Sequence, residues 1–170
     1  MNKKVVQEGR KTPKKEDKKT VNPSPTTNPR LIFDVYEIAN KAPGASVTYN
    51  LDGVDLDLSK FDIHTKGPIE GKVVIMKIED EYNVSIKDFK TTVELTCEKC
   101  LEKFDFVVDI PYTEMQFLIT GDHSDNGFDF FYVDTKTHTV DIEEFLRQEI
   151  ILHFPLVAVC SPHCKGINLN

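Results

Sequence analysis

The stretch TTVELTCEKCLEKFDFVVDI, residues 91–110, decides the fold. In its first half Val93, Leu95 and Cys97 occupy alternate positions. In its second half Phe104, Phe106, Val108 and Ile110 alternate with Asp105, Val107 and Asp109. Successive side chains of a strand point to opposite faces, so each half reads as a strand with one apolar face. Between them stands Cys97-Glu98-Lys99-Cys100, which the pattern puts at the tip of a hairpin. A hairpin tip suits a metal knuckle or a reactive thiol pair better than a purely structural pair of cysteines.

The same reading extends upstream. After Gly67-Pro68, IEGKVVIMKIED (69–80) is rich in β-branched residues, Glu79-Asp80-Glu81 supplies a polar break, and Tyr82, Val84 and Ile86 alternate with Asn83 and Ser85. SVTYNLDGVDLDLS (46–59) carries a turn signal at Asp52-Gly53, followed by Val54, Leu56 and Leu58 alternating with polar residues. This predicts a hairpin. RLIFDVYEI (30–38) is expected as a strand, because Ile32, Val35 and Tyr36 are strand formers, although its period also fits a short helix.

Downstream, TGDHSDNG (120–127) is a turn cluster, FDFFYV (128–133) is a strand candidate, and His138 belongs to a turn. Asp141 is a good helix N-cap with Glu144 three residues on. Ile142, Phe145, Leu146 and Ile150 then share one face before Phe154-Pro155 stops the run. That stripe reads as core packing rather than as a cofactor box. The expected fold is α+β and β-rich: a mainly antiparallel sheet, one C-terminal amphipathic helix and a cysteine knuckle, spanning residues 31–170.

Charge divides the 170 residues in two. Residues 1–30 hold nine Lys and Arg against three Asp and Glu, a balance of +6. Residues 31–170 hold twelve against twenty-five, a balance of −13, and the two sum to the chain's −7. The first thirty residues contain no aromatic side chain and include NPSPTTNP, so they read as a disordered basic tail. Clustered lysines on a flexible chain bind phosphates through counterion release, whereas the acidic domain would repel nucleic acid except at a local patch. A mostly acidic domain more naturally meets basic proteins.

The opening MNKKVVQEGRKTPKKEDKKT has no apolar run of the kind that marks an export signal. The longest apolar run, IILHFPLVAV (150–159), is broken by His153 and Pro155 and is too short to span a bilayer. A soluble, cytoplasmic protein is expected, with its thiols reduced and no disulfide framework.

All four cysteines lie in Cys97-x-x-Cys100 and Cys160-x-x-x-Cys164. Each pair can aim two thiolates at one point, so together they form a candidate four-thiolate zinc site, with His163 able to replace Cys160 or Cys164 and Pro162 able to stiffen the loop. The two spacings, 59 residues apart, are looser than those of a zinc finger, which leaves a knuckle without metal open. A redox CxxC is expected at a helix N-terminus, where the dipole lowers a thiol pKa, and here the flanks read as strands. His64, His123 and His138 are scattered. No glycine-rich phosphate loop, HExxH or GxSxG occurs, so no enzyme is expected.

Several of these segments, taken in order, resemble the YceD family. They are Val93-Glu-Leu-Thr-Cys97-x-x-Cys100-Leu101, Tyr112-Thr-Glu114-Met-Gln-Phe117, Asp141-Ile-Glu-Glu with Arg147-Gln-Glu-Ile-Ile-Leu-His-Phe-Pro155, and Val159-Cys160-x-x-x-Cys164-Lys-Gly166. The resemblance runs from about Leu31 to Asn170, and its most specific part is the helix-to-Pro segment followed by CxxxCKG. It implies a bacterial or plastid factor associated with accumulation of large-subunit (23S) ribosomal RNA, acting by binding precursor RNA or a basic ribosomal protein. Many family members place a further pair of cysteines after Lys-Gly, whereas here Gly166 runs into Ile167-Asn-Leu-Asn, so the zinc reading has to stand on this chain's own residues. The alternative is a structural zinc adaptor with no direct RNA contact, and a more distant one is a thiol redox protein.

Overall fold

The computed structural model describes residues 20–21, 31–119 and 131–167. The rest of the basic tail, the loop from Thr120 with His123, and residues 128–130 of the FDFFYV segment lie outside the described residues. Among the described residues, nine strands and two α-helices run in the order β1 (Thr20–Val21), β2 (Ile32–Asp34), α1 (Tyr36–Ala39), β3 (Ser46–Asn50), β4 (Val54–Asp55), β5 (His64–Lys77), β6 (Glu81–Thr96), β7 (Lys103–Leu118), β8 (Phe131–Tyr132), β9 (Thr139–Asp141) and α2 (Glu143–Leu152). A single 3₁₀ turn, Ser59–Phe61, precedes β5.

The main sheet has the order β1-β3-β5-β6-β7-β8, with β4 also on β5. A second, two-stranded sheet pairs β2 with β9. Most pairings are antiparallel; the short edge strands β1 and β8 run parallel to β3 and β7. The predicted antiparallel, β-rich α+β architecture with one C-terminal helix is what the chain forms.

β6 and β7 form the predicted hairpin, sixteen residues each and paired from Glu81↔Leu118 to Thr96↔Lys103. Tyr82, Val84, Ile86, Phe89 and Val93 of β6 and Val108, Ile110 and Phe117 of β7 are buried on one face. Tyr82, Val84, Ile86, Val93, Val108 and Ile110 stand where the sequence alternation put them, whereas Phe89 and Phe117 were not read because the parity changes between Ile86 and Phe89, where Asp88 has a φ of +53°, and between Ile110 and Phe117. At about 3.3 Å per residue the hairpin is roughly 50 Å long. Toward its tip Leu95, Phe104 and Phe106 are half-buried, and Cys97 is buried completely.

The core side is covered by α2, which packs on β7, by α1 on β5, and by the β2–β9 ribbon. Ile142, Phe145, Leu146 and Ile150 are buried as one stripe, each contributing about 1.5–3 kcal/mol of transfer free energy before its ordering cost. Phe145 meets the rings of Phe117 and Phe131 at 6.5 and 6.0 Å. The start of this helix differs from expectation. Ile142 holds the N-cap position, and Asp141 ends β9 while its carboxylate accepts the Glu143 N–H at 3.0 Å. Glu144 turns away from the helix start and holds Arg147 through two contacts. Arg147 also lies over the Phe61 ring at 4.9 Å.

Two further expectations are corrected. RLIFDVYEI is not one strand: β2 ends at Asp34, whose carboxylate accepts the Tyr36 N–H at 2.7 Å, and a one-turn helix begins. The backbone turn that Asp34 caps outweighs the strand preference of Val35 and Tyr36. SVTYNLDGVDLDLS is not a hairpin either, because β3 and β4 both pair with β5 and run in the same direction along it. Residues 51–53 form an excursion in one edge, with Leu51 N–H donating to Gly71 O, Gly53 N–H to Ile69 O, and Gly71 N–H to Asp52. Gly53 does adopt the left-handed conformation that the turn signal required.

Opposite that excursion the β5–β6 register shifts between Lys66 and Lys72. Gly71 has a φ of +139°, and a Cβ there would lie 3.0 Å from Phe89 Cα and 3.2 Å from Lys87 O. Only glycine fits at this bulge. Among the described residues no helix is long and apolar enough to cross a membrane.

Candidate metal centre

The cysteine cluster sits where the far end of the hairpin meets the chain that follows α2. Six residues, 97–102, close the tip: Cys97 N–H donates to Glu102 O, and Leu101 N–H donates back to Cys97 O, both at 2.9 Å. Leu101 takes a φ of +62°, an unfavourable conformation for a bulky residue, at the point where the tip turns back toward β7.

The second pair arrives from α2. Phe154 stands edge-on to Phe106 at 6.5 Å, and Pro155 prevents the helix from continuing. The exit segment is then fastened to the tip at two places. Glu98 N–H donates to Ala158 O at 2.8 Å and Ala158 N–H to the Glu98 carboxylate at 3.1 Å. Gly166, at φ +77°, comes so close to Lys99 that a Cβ would lie 3.2 Å from its carbonyl oxygen. Within the segment Cys164 N–H donates to Ser161 O at 3.1 Å.

The result brings Cys97, Cys100, Cys160 and Cys164 together, their sulfurs all within 4.8 Å of one another. Cys97 Sγ lies 3.8 Å from Cys164 Sγ, and Cys100 Sγ lies 3.8 Å from Cys160 Sγ. Four sulfurs at about 2.3 Å from a tetrahedral zinc stand about 3.8 Å apart; two of the pairs have that spacing and all lie within 4.8 Å, so the cluster is compatible with a four-thiolate zinc shell. All four are free thiols. His163 is exposed and is not part of the cluster. Its N–H donates to the Ser161 hydroxyl at 3.1 Å, and the two cysteines for which it was a substitute are both in place.

The thiols differ in acidity. The Cys160 N–H lowers Cys97 to about 6, with help from the N–H groups of Cys100 and Lys99 and against the effect of burial. The neighbouring thiols of Cys164 and Cys100, with burial, push Cys160 up to about 12. For Cys100 the Glu102 N–H acts downward, but Cys97, burial and Cys164 outweigh it and the thiol is raised. One thiolate is favoured, and further ones are resisted by their neighbours. A divalent cation held by Cys97, Cys100, Cys160 and Cys164 would offset that resistance by supplying positive charge to all four thiolates.

The CxxC lies between two strands, as read from the sequence, and not at a helix N-terminus. The Glu98–Ala158 clasp and the close approach of Gly166 were not read from the sequence. The Lys-Gly following Cys164 was the one local signal for the latter. His64 lies on β5, and His138 occupies the turn between Asp134 and Thr139 with a φ of +55°.

Residues 88–170 match the family model described as large ribosomal RNA subunit accumulation protein YceD. That span covers β7, α2 and all four cysteines, and it begins inside β6 at Asp88. Residues 31–87, which the sequence reading also included, lie outside it. Neither the curated proteins nor the solved structures compared with the chain contain a match.

Proposed function

We propose, from the match of residues 88–170 to the YceD family model, that this protein is a non-enzymatic, cytoplasmic factor supporting accumulation of the large-subunit (23S) ribosomal RNA. It acts by binding precursor RNA or a basic ribosomal protein, and zinc at Cys97, Cys100, Cys160 and Cys164 holds its hairpin tip to its C-terminal segment. The observation that carries the reading is the cluster itself, set within the matched span, with four sulfurs within 4.8 Å of one another and two pairs at 3.8 Å. Four protein ligands make a closed site, the structural kind. A catalytic zinc keeps one position for water.

The chain's own groups prepare the site. Backbone N–H groups favour the first thiolate at Cys97, and the Glu98–Ala158 clasp and the Gly166–Lys99 approach set the distance between the two loops. Zinc supplies the charge that the remaining thiolates need and closes a loop of more than sixty residues. The acidic surface of residues 31–170 favours basic partners, so RNA contact falls to the basic tail or to a local patch.

The test is recovery of tagged protein from cells with and without nuclease, alongside the ratio of large- to small-subunit RNA in cells lacking it. Enrichment of large-subunit precursor RNA with a lowered ratio supports the reading. Partners that survive nuclease point to the ribosomal-protein contact. An unchanged ratio with no enrichment of either kind overturns it.

A further inference from the structure

The sheet face turned away from the core carries a row that no single segment of sequence reveals. Strand register puts Asn50 of β3 opposite Lys72 of β5, Lys72 opposite Lys87 of β6, and Lys87 opposite Tyr112 of β7. Neighbouring strands lie about 4.8 Å apart, so this row spans roughly 14 Å across four strands. The adjacent residues Val73 and Ile86 are fully buried toward the core, which confirms that the row faces outward.

The five lysines on this face are not equivalent. Lys66 is bound to Glu94 and Asp105, Lys90 to Asp109, and Lys103 to Glu94. Among the described residues Lys72 and Lys87 have no carboxylate within ion-pair distance, although they face each other directly. Like charges directly opposite on a sheet are destabilising. Asp52, which senses Lys72, is engaged by the Gly71 N–H. Asp109 is taken up by Lys90, and Glu114 accepts the Tyr112 hydroxyl. The Tyr112 ring is 54% exposed and lies under Lys87 Nζ at 5.9 Å. Two ammonium groups with no ion-pair partner among the described residues, beside an open aromatic ring on a sheet face, fit one ligand chemistry well: a phosphate between the lysines and an unpaired base on the ring.

We infer that the Lys72–Lys87–Tyr112 row is a contact surface for single-stranded RNA. The inference rests on the ribosomal-RNA reading above and names the local patch by which an acidic domain meets RNA. Lys72 and Lys87 hold the phosphodiester backbone, with the anion relieving their mutual repulsion. Tyr112 stacks a base without selecting its identity.

The experiment titrates a fluorescein-labelled 20-nucleotide oligouridylate with full-length protein at several salt concentrations. The variants are Lys72→Gln with Lys87→Gln, Lys72→Arg with Lys87→Arg, Tyr112→Ala and Tyr112→Phe, with melting temperatures confirming that each is folded. The double glutamine variant is expected to flatten the log-log salt slope by about 1.4, two contacts at about 0.7 each, and the double arginine variant to keep the wild-type slope. Tyr112→Ala is expected to bind about ten-fold more weakly with its slope unchanged, and Tyr112→Phe to bind as wild type. Wild-type affinity and slope in both the glutamine and alanine variants would overturn the inference while leaving RNA binding elsewhere on the chain intact. Absence of binding by the wild-type protein would overturn both the inference and the RNA-contact form of the proposed function.

Discussion

The sulfur of Cys97 lies 3.8 Å from that of Cys164, 67 residues further along the chain. Cys97 follows the last residue of β6 and is fully buried, whereas Cys164 belongs to a segment that the end of α2 delivers. The pair therefore reports whether the two halves of the cluster are joined. The Glu98–Ala158 clasp, the Cys160 N–H on Cys97, the Gly166–Lys99 approach and the Phe106–Phe154 contact share that task.

Replacing one ligand should separate metal from fold. Cys100→Ser is expected to lower zinc affinity by more than the roughly 10–100-fold that follows loss of an outer-shell partner. Its melting temperature should fall with it, by about 2–4 °C for each kcal/mol lost in a chain of this size. Calorimetry and competitive zinc titration on the same samples check this. A zinc-loaded wild type and a variant with equal melting temperatures would contradict a structural role.

Acidity sets the pH dependence of the centre. At pH 7 to 8 Cys97, lowered to about 6, is already thiolate, while Cys160, pushed up to about 12, and Cys100, also raised, still carry protons. Zinc binding must expel the latter two protons, so affinity rises with pH across this window. The expected gain is at least about two log units of affinity per pH unit, one for each proton released. Competition against a chelator of known pH dependence measures it, and a flat profile would show that Cys100 and Cys160 are not ligands.

Gly71 is the expected weak point of the sheet. Gly71→Ala puts a methyl 3.0 Å from Phe89 Cα at a φ of +139°, and the atom it meets is backbone. A loss of about 1–3 kcal/mol is expected from the strained conformation, before any cost of moving β6. Urea denaturation reads it directly, and an undiminished midpoint would mean that the β5–β6 bulge yields freely.

Residues 1–30 carry a net +6 next to a domain of −13. If all six charges meet single-stranded RNA, their share of the log-log salt slope is about −4 at roughly −0.7 per phosphate. Deleting residues 1–30 is expected to flatten the slope by up to that amount, with the melting temperature of the domain lowered only as far as the loss of the two-residue edge strand β1 on β3 requires. Equal slopes for the two proteins would assign the electrostatic contact to the domain alone.

The central hairpin was legible because β6 and β7 bury one face over many residues, so period two persists long enough to be read: Val93, Val108 and Ile110 are all buried where alternation put them. The α2 stripe was legible for the matching reason at helical spacing. What could not be read was pairing. Val54, Leu56 and Leu58 alternate as a strand should, but no local signal distinguishes a strand that folds back on β3 from one that continues along β5. The cluster was legible from residue type, since four cysteines in two close pairs have few other uses. Its tightness depends on the Glu98–Ala158 clasp, whose partners are 60 residues apart. The Lys72–Lys87–Tyr112 row was invisible for the same reason, because register alone brings its members together.

The most direct test of the account is the zinc content of full-length protein purified without chelator, measured by elemental analysis beside a count of reactive thiols. About one zinc per chain, with all four cysteines protected until the metal is removed, is the expected result. Protein that is folded, free of zinc after reconstitution, and reactive at all four thiols would contradict it.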